Sequence, residues 1–228
     1  MQSKQYDLCQ DVLRRLDEAG VLRGLVLIGS WCLVLYREYF RGVGDPGAVR
    51  TRDMDFLVPS PSVFDHKVNV PALLKDLGFV SGFRGEEDAM VLQHPELLVE
   101  FLVPERGRGG AAVRDVPKLG VNAQALRFMD VPLMKTVQLR FGDGMVNAPH
   151  PAVFVLHKLL VVPRRQKTEK KEKDFASALA VLALLDKKGE MAILHELLER
   201  FPAPWLKSVA RTLCAHGEAA LASAMNLA

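Results

Sequence analysis

Leu8, Val12, Leu13 and Leu16 recur at three- and four-residue intervals and Gly20 follows them, so residues 4 to 19 are expected as an amphipathic helix that packs its apolar stripe on a sheet. Residues 25 to 28 are an uninterrupted apolar run of strand length. Gly29-Ser30 then opens a segment, 31 to 40, whose pattern is helical. Asp53-Met54-Asp55-Phe56-Leu57-Val58 reads as the next strand, and residues 72 to 77 as a short helix stopped by Gly78. Residues 79 to 83, 89 to 93 and 97 to 103 follow as strands of an antiparallel meander, with turns at 85 to 88 and 94 to 96. Residues 133 to 141 and 145 to 148, joined through Gly142-Asp143-Gly144, predict a hairpin that closes the sheet-bearing half. At His150-Pro151 the period changes to that of helices, over 151 to 160, 174 to 185, 191 to 200 and 205 to 225. The expected fold is α+β: a mixed or antiparallel sheet flanked by helices over residues 1–149, then a helical bundle over 150–228.

Composition agrees with a globular reading. Of 228 residues, 49% are hydrophobic, enough for a substantial core, and 30 basic against 27 acidic side chains leave a net charge of +3. That excess neither demands nor excludes nucleic acid. Cys9, Cys32 and Cys214 are widely spaced without a CxxC, which suggests neither a disulfide framework nor a thiolate zinc site and favours a reducing cytoplasm. No apolar leader core begins the chain, and its apolar runs are too short to cross a bilayer, so no membrane partner is expected. The six histidines show no metal-ligand spacing, and His157, inside an apolar helix, reads as a core imidazole. Gly42-Val43-Gly44-Asp45-Pro46-Gly47 matches a dinucleotide fingerprint only by letter, because it follows a helix and precedes a strand; a flexible loop beside the site is the better account.

The chemistry concentrates in three places. Asp53 and Asp55 are one residue apart in a strand, so both carboxylates face the same way, immediately before an apolar run. Two adjacent anions need a neutralising partner, for which a divalent cation is the simplest; taken alone, a motif as short as Asp-x-Asp is more often a solvated strand end. Gly29-Ser30 at a strand-to-helix turn suits an anion: Gly29 admits a phosphate to the backbone, while Ser30 can cap the helix and offer its hydroxyl, though an ordinary cap reads the same. Glu100 is the one charge in the apolar strand 97 to 103, where packing does not call for it. If that strand neighbours the Asp53–Asp55 strand, three carboxylates converge and suit two Mg2+ ions about 3.5 to 4 Å apart, with Mn2+ as substitute.

These residues resemble the nucleotidyltransferases of the DNA-polymerase-β-like superfamily, marked by Gly-Ser at a strand-to-helix turn, an acid-x-acid pair on the next strand and a later single acid. Arg50-Thr51-Arg52-Asp53-Met54-Asp55-Phe56-Leu57 looks most similar to bacterial members, including the AbiEii-type toxins of toxin–antitoxin systems. Those also carry a Lys on a downstream helix and a later Lys-Asp pair, matched in order by Lys158 and Lys173-Asp174. The likeness spans roughly residues 20 to 185; Trp31-Cys32 after the Gly-Ser, where small residues are usual, and Glu rather than Asp as third acid are departures from it. It implies a nucleotidyltransferase-type sheet and Mg-dependent transfer of a nucleoside monophosphate from an NTP to an RNA, tRNA or protein hydroxyl. In that reading Asp53, Asp55 and Glu100 are the catalytic and metal residues, Gly29, Ser30, Arg52, Lys158, Lys173 and Asp174 hold the nucleotide, and an antitoxin is a candidate partner.

The run Arg164-Arg165-Gln166-Lys167-Thr168-Glu169-Lys170-Lys171-Glu172-Lys173-Asp174 is the densest positive charge. It reads either as a solvated helix end or as a path for phosphates, with Asp174 orienting Lys173 or a nearby base. Without interleaved aromatics it does not read as a single-strand stacking surface. Arg106-Gly107-Arg108-Gly109-Gly110 is a basic loop that either closes over a nucleotide or serves solubility. The alternative for the whole chain is a catalytically silent nucleotide- or RNA-binding module, against which the presence of all three acids argues.

Overall fold

The structure, a computed structural model, describes residues 3–47, 51–59, 64–85, 88–105 and 113–227. Arg50, Pro61, the Glu86-Glu87 part of one expected turn and the basic loop at 106 to 110 lie outside the described residues. The chain divides into two compact units: Met1–Tyr39 with Ala48–Pro149, and Phe40–Gly47 with His150–Ala228.

In the first unit α1 (Ser3–Glu18) leads through a 3-10 turn to β1 (Val26–Ile28), and a second 3-10 turn at Gly29–Trp31 enters α2 (Cys32–Tyr39). β2 (Asp53–Leu57), the short α3 (Val70–Leu73), β3 (Val80–Arg84), β4 (Ala89–Gln93), β5 (Leu98–Pro104), β6 (Val113–Val116), β7 (Val121–Leu126), β8 (Thr136–Phe141) and β9 (Gly144–Pro149) follow. Among the described residues the main sheet has seven strands in the order β1-β2-β5-β4-β3, with β7 joining β5 and β6 pairing β7. β2 runs antiparallel to β1 and parallel to β5, while β3, β4 and β5 form the antiparallel meander expected from their alternation.

The faces of this sheet differ. On one face Met54, Phe56, Val99 and Phe101 are buried, the Phe56 and Phe101 rings stack at 5.9 Å, and Cys9 Sγ of α1 lies 3.6 Å from Met54 Sδ. This is the surface that takes the apolar stripe of α1. On the other face Val26, Ile28, Leu57, Leu102 and Met129 form a second cluster, with Leu126 and Leu133 against it. Because strand residues alternate, that second face is also the face of Asp53, Asp55 and Glu100.

Several elements differ from expectation. β6 and β7 did not announce themselves, since β7 marks its buried side with Val121, Ala123 and Ala125, and alanines make a faint apolar signal. The hairpin of β8 and β9 does not extend the main sheet but forms a two-stranded sheet of its own. The structure corrects the role given to Ser30: it sits inside the 3-10 turn, Ile28 takes the cap position, and no side chain caps that turn. Trp31 and Cys32 point into the core, with Trp31 edge-on to Phe141 at 6.3 Å and Cys32 Sγ donating to the Leu27 carbonyl, 3.4 Å away.

The second unit contains α4 (Pro151–Val161), α5 (Thr168–Lys188), α6 (Met191–Glu199), α7 (Ala203–Ala215) and α8 (Ala219–Ala224). His150 caps α4 by accepting from Ala152 N through Nδ1, ahead of Pro151 at the first helical position. α5 starts well before residue 174 because the Lys and Glu of the basic run are good helix formers. The single helix expected over 205 to 225 is two, broken where Gly217 adopts φ +83°, outside the helical range. The loop expected as flexible belongs to this unit, where a Cβ on Gly44 would meet Leu184 of α5 at 2.6 Å.

Candidate active site

The parallel pairing of β2 with β5 sets Asp55 directly opposite Glu100 and Asp53 opposite Leu98. In-register residues on neighbouring strands, about 4.8 Å apart, share a face, so the three acids lie together at one end of the second face. Two positions further on, Leu57 and Leu102 belong to the apolar cluster. The acids thus border a dry patch on one side and water on the other; all three are partly exposed.

Gly29 completes the floor. The pairing of β1 with β2 puts Ile28 opposite Asp55, and the chain turns at once through Gly29 with φ +74°. A Cβ there would stand 2.4 Å from Asp55 Oδ2, so only glycine lets the carboxylate lie against the backbone of the turn. Gln5 of α1 secures the strand ends from elsewhere, donating to the carbonyls of Thr51 at 2.7 Å and Glu96 at 3.1 Å. It thereby ties the entry of β2 to the turn that precedes β5. Nothing in the local pattern marks Gln5 for this task.

Arg84 is a side chain at the candidate site that the pattern missed. From the outer strand β3 it reaches across β4 to donate through Nη1 to Glu100 Oε1. Gly82, Val91 and Glu100 lie in line across the three strands, which puts Arg84 on the acids' face by alternation. No spacing rule could have paired residues 84 and 100 before the meander's register was known.

The remaining predicted nucleotide-binding residues have contacts of their own. Arg52, expected at the nucleotide, donates through Nη2 to the carbonyl of His94 at 3.0 Å, on the turn between β4 and β5. Lys158, Lys173 and Asp174 belong to the second unit. There Lys158 and Asp174 are both buried and form an ion pair, with Lys158 Nζ 5.4 Å from the Phe154 ring centre and Arg165 Nε donating to the second carboxylate oxygen of Asp174 at 2.7 Å. Burial pushes the Asp174 carboxyl up, but the ammonium and the guanidinium beside it prevail and hold it below the usual carboxylate range. Asp174 therefore serves Lys158 and Arg165, whereas Lys173 on the same helix is exposed. Next to this pair, burial and the two cations lower His157 to about 3, and its Nε2 is buried with no hydrogen-bond partner among the described residues.

The fit of this carboxylate site to a divalent cation rests on its donors: hard oxygens from three acids on one face, with the Asp55 carboxylate seated against the Gly29 turn. As the side chains stand, no group of three His, Cys, Asp or Glu is gathered closely enough to hold a metal among the described residues. Glu100 is turned to Arg84.

A family model described as Nucleotidyltransferase matches residues 8–200. Among solved structures the chain is similar to the antibiotic-resistance factor ANT(2'')-Ia, at 12% identity and a TM-score of 0.47, with 88% of this chain and 100% of that one covered. It is also similar to an antigenic nucleotidyltransferase-like protein from Paracoccidioides brasiliensis, at 15% identity and a TM-score of 0.48, over 93% of this chain and 94% of the other. No curated protein sequence matches the chain. No described helix is long and apolar enough to cross a membrane.

Proposed function

This chain belongs to the nucleotidyltransferase family, and on that footing we propose that it moves a nucleoside monophosphate from an NTP to an acceptor hydroxyl at the face of Asp53, Asp55 and Glu100. The observation that supports the site is the in-register pairing of Asp55 with Glu100 beside the Gly29 turn.

The acceptor oxygen attacks the α-phosphorus, the bond to the bridging oxygen breaks, and pyrophosphate leaves with that electron pair. One carboxylate takes the acceptor's proton. The backbone amides of the turn at Gly29 and the Ser30 hydroxyl receive the phosphates. Asp53, Asp55 and Glu100 would hold Mg2+, or Mn2+ in its place, and the ion supplies the positive charge that the polyphosphate and the leaving group require. The apolar cluster beside the acids keeps one flank of the site dry, which strengthens each charge interaction there.

The acceptor in this reading is an RNA or tRNA end or a protein hydroxyl, and the likeness of residues 50–57 to AbiEii-type toxins sets the activity in a toxin–antitoxin pair. Incubation with each α-labelled NTP, Mg2+ and total RNA or total protein tests the transfer. Label should pass to an acceptor with the wild-type chain and not with Asp53→Ala; transfer that survives this substitution removes the mechanism. Growth arrest on expression of the wild type, relieved by the same substitution, checks the toxin setting.

A further inference from the structure

We propose that Arg84 is an exchangeable counter-ion of Glu100: it occupies the third carboxylate in the ligand-free protein and yields it to a divalent cation when the site fills. The inference rests on the metal reading of the three acids given above and deepens it by naming what regulates that site.

Backbone and side chains disagree at the three acids. Backbone register sets Asp55 and Glu100 side by side, yet no three acidic side chains stand close enough together to hold an ion among the described residues. Among the groups that engage Glu100 is Arg84, whose Nη1 donates to Oε1 as a charge-assisted hydrogen bond. A carboxylate oxygen occupied by a guanidinium and one bound to a divalent cation are alternatives, because both use the same lone pairs and the two cations repel.

Exposure decides whether the exchange can happen. The Arg84 side chain is 56% exposed while that of Glu100 is 17% exposed, so Arg84 can swing into water, and the mostly covered Glu100 carboxylate it leaves is neutralised by the incoming cation. Glu100 is the less mobile partner, held on the central strand β5 between β2 and β4. The place of Arg84 on the outer strand, near the end of β3, gives its side chain open solvent on one flank. Pairing keeps Glu100 from repelling Asp55 while no cation is present, which keeps an otherwise anionic cluster tolerable in the empty site. A cation then competes with a weak contact rather than with a locked one.

The test measures Mn2+ binding in the absence of nucleotide, by calorimetry and by the spin-resonance signal of free Mn2+, on four full-length proteins: wild type, Arg84→Met, Glu100→Gln and the double variant. Arg84→Met should bind Mn2+ about two- to fivefold more tightly than wild type, the range set by a solvent-exposed ion pair. Glu100→Gln should cancel that gain, so that the double variant matches Glu100→Gln alone. A general effect of removing one positive charge would survive in the Glu100→Gln background, and a gain that survives undiminished there overturns the proposal. So does an Arg84→Met protein that binds no more tightly than wild type. Arg84→Lys, which keeps the charge, should stay near wild type; if Arg84→Met fails to fold, the same comparison made between Arg84→Gln and Arg84→Gln/Glu100→Gln decides. Asp55→Asn tells failure of the exchange from failure of the site itself. If Mn2+ affinity is unchanged by Asp55→Asn, the metal reading of these acids falls; if it drops with Asp55→Asn but ignores Arg84, only the exchange does.

Discussion

Two acid–cation contacts, one in each unit, use the same kinds of side chain to opposite ends. Glu100 meets Arg84 where the guanidinium is mostly in water, whereas Asp174 meets Lys158 with both side chains below 10% exposure, at 8% and 6%. A guanidinium mostly in water adds little to such a pair, about 0 to 1 kcal/mol. Removing one partner of a buried pair costs about 3 to 5 kcal/mol, because the other is left charged and dry. Solvent access, more than residue type, separates a site from a clamp.

The comparison breaks most visibly at the carboxylates of the sheet. Asp55→Asn should lower nucleotidyl transfer at least on the order of a thousandfold, since transfer of this kind is mostly electrostatic positioning. The same change should leave the thermal midpoint unchanged or higher, as it removes one of several like charges on one face; a large fall in midpoint would move Asp55 to the structural side. Asp174→Ala should do the reverse and lower the unfolding free energy in urea by about 3 to 5 kcal/mol. Restoring neutrality with Lys158→Met in the Asp174→Leu background should recover most of that loss, and its failure to do so would mean that Lys158 matters for more than its charge.

Gly29→Ala lies between the two. The new Cβ would press on Asp55 Oδ2 at a backbone angle unfavourable to side chains, so we expect a loss of about 1 to 2 kcal/mol in stability and a larger proportional loss in transfer, about ten- to a hundredfold. Equal activity in Gly29→Ala would show that the carboxylate need not lie on the turn.

The smallest effect is a pH dependence in the second unit. His157 is lowered to about 3 in the fold from an ordinary 6.5, so below pH 6.5 the unfolded chain takes up a proton that the folded chain refuses until about 3. This contribution is complete above pH 6.5 and is lost as the pH falls towards 3. Asp174 works in the same direction on the acid side, its depressed carboxyl stabilising the fold above the unfolded value and ceasing to do so as the pH falls through the folded one. Between pH 7 and 4.5, His157→Leu should therefore lose about 2 kcal/mol less stability than wild type in urea titrations; parallel slopes would show that the imidazole is protonated in the fold.

Much of the site was legible residue by residue. The alternation of Asp53 and Asp55 with Met54 and Phe56 showed which side chains share a face, and the Gly29-Ser30 turn stood where a strand meets a helix. The capping role of Ser30 was misread because a 3-10 turn intervenes before α2, a difference of one hydrogen-bond step that composition does not carry. Arg52 looked like part of the site by adjacency alone, yet it lies just outside the strand and its guanidinium is used on the β4–β5 turn. Gln5 and Arg84 had no local signature, since each acts at a distance, across 46 and 91 residues for Gln5 and 16 for Arg84.

By itself, the order of residues determined local periods, the helix-rich C-terminal part and the chemical types available: oxygen acids in one strand pair and cations along one helix. Tertiary structure alone decided which of these charges are neighbours and how much water reaches them. The reason is physical. A period of two or 3.6 is set by bonds a few residues apart, whereas the Asp55–Glu100 register, the grip of Arg84 and the dryness of Lys158 depend on segments brought together only when apolar faces are buried.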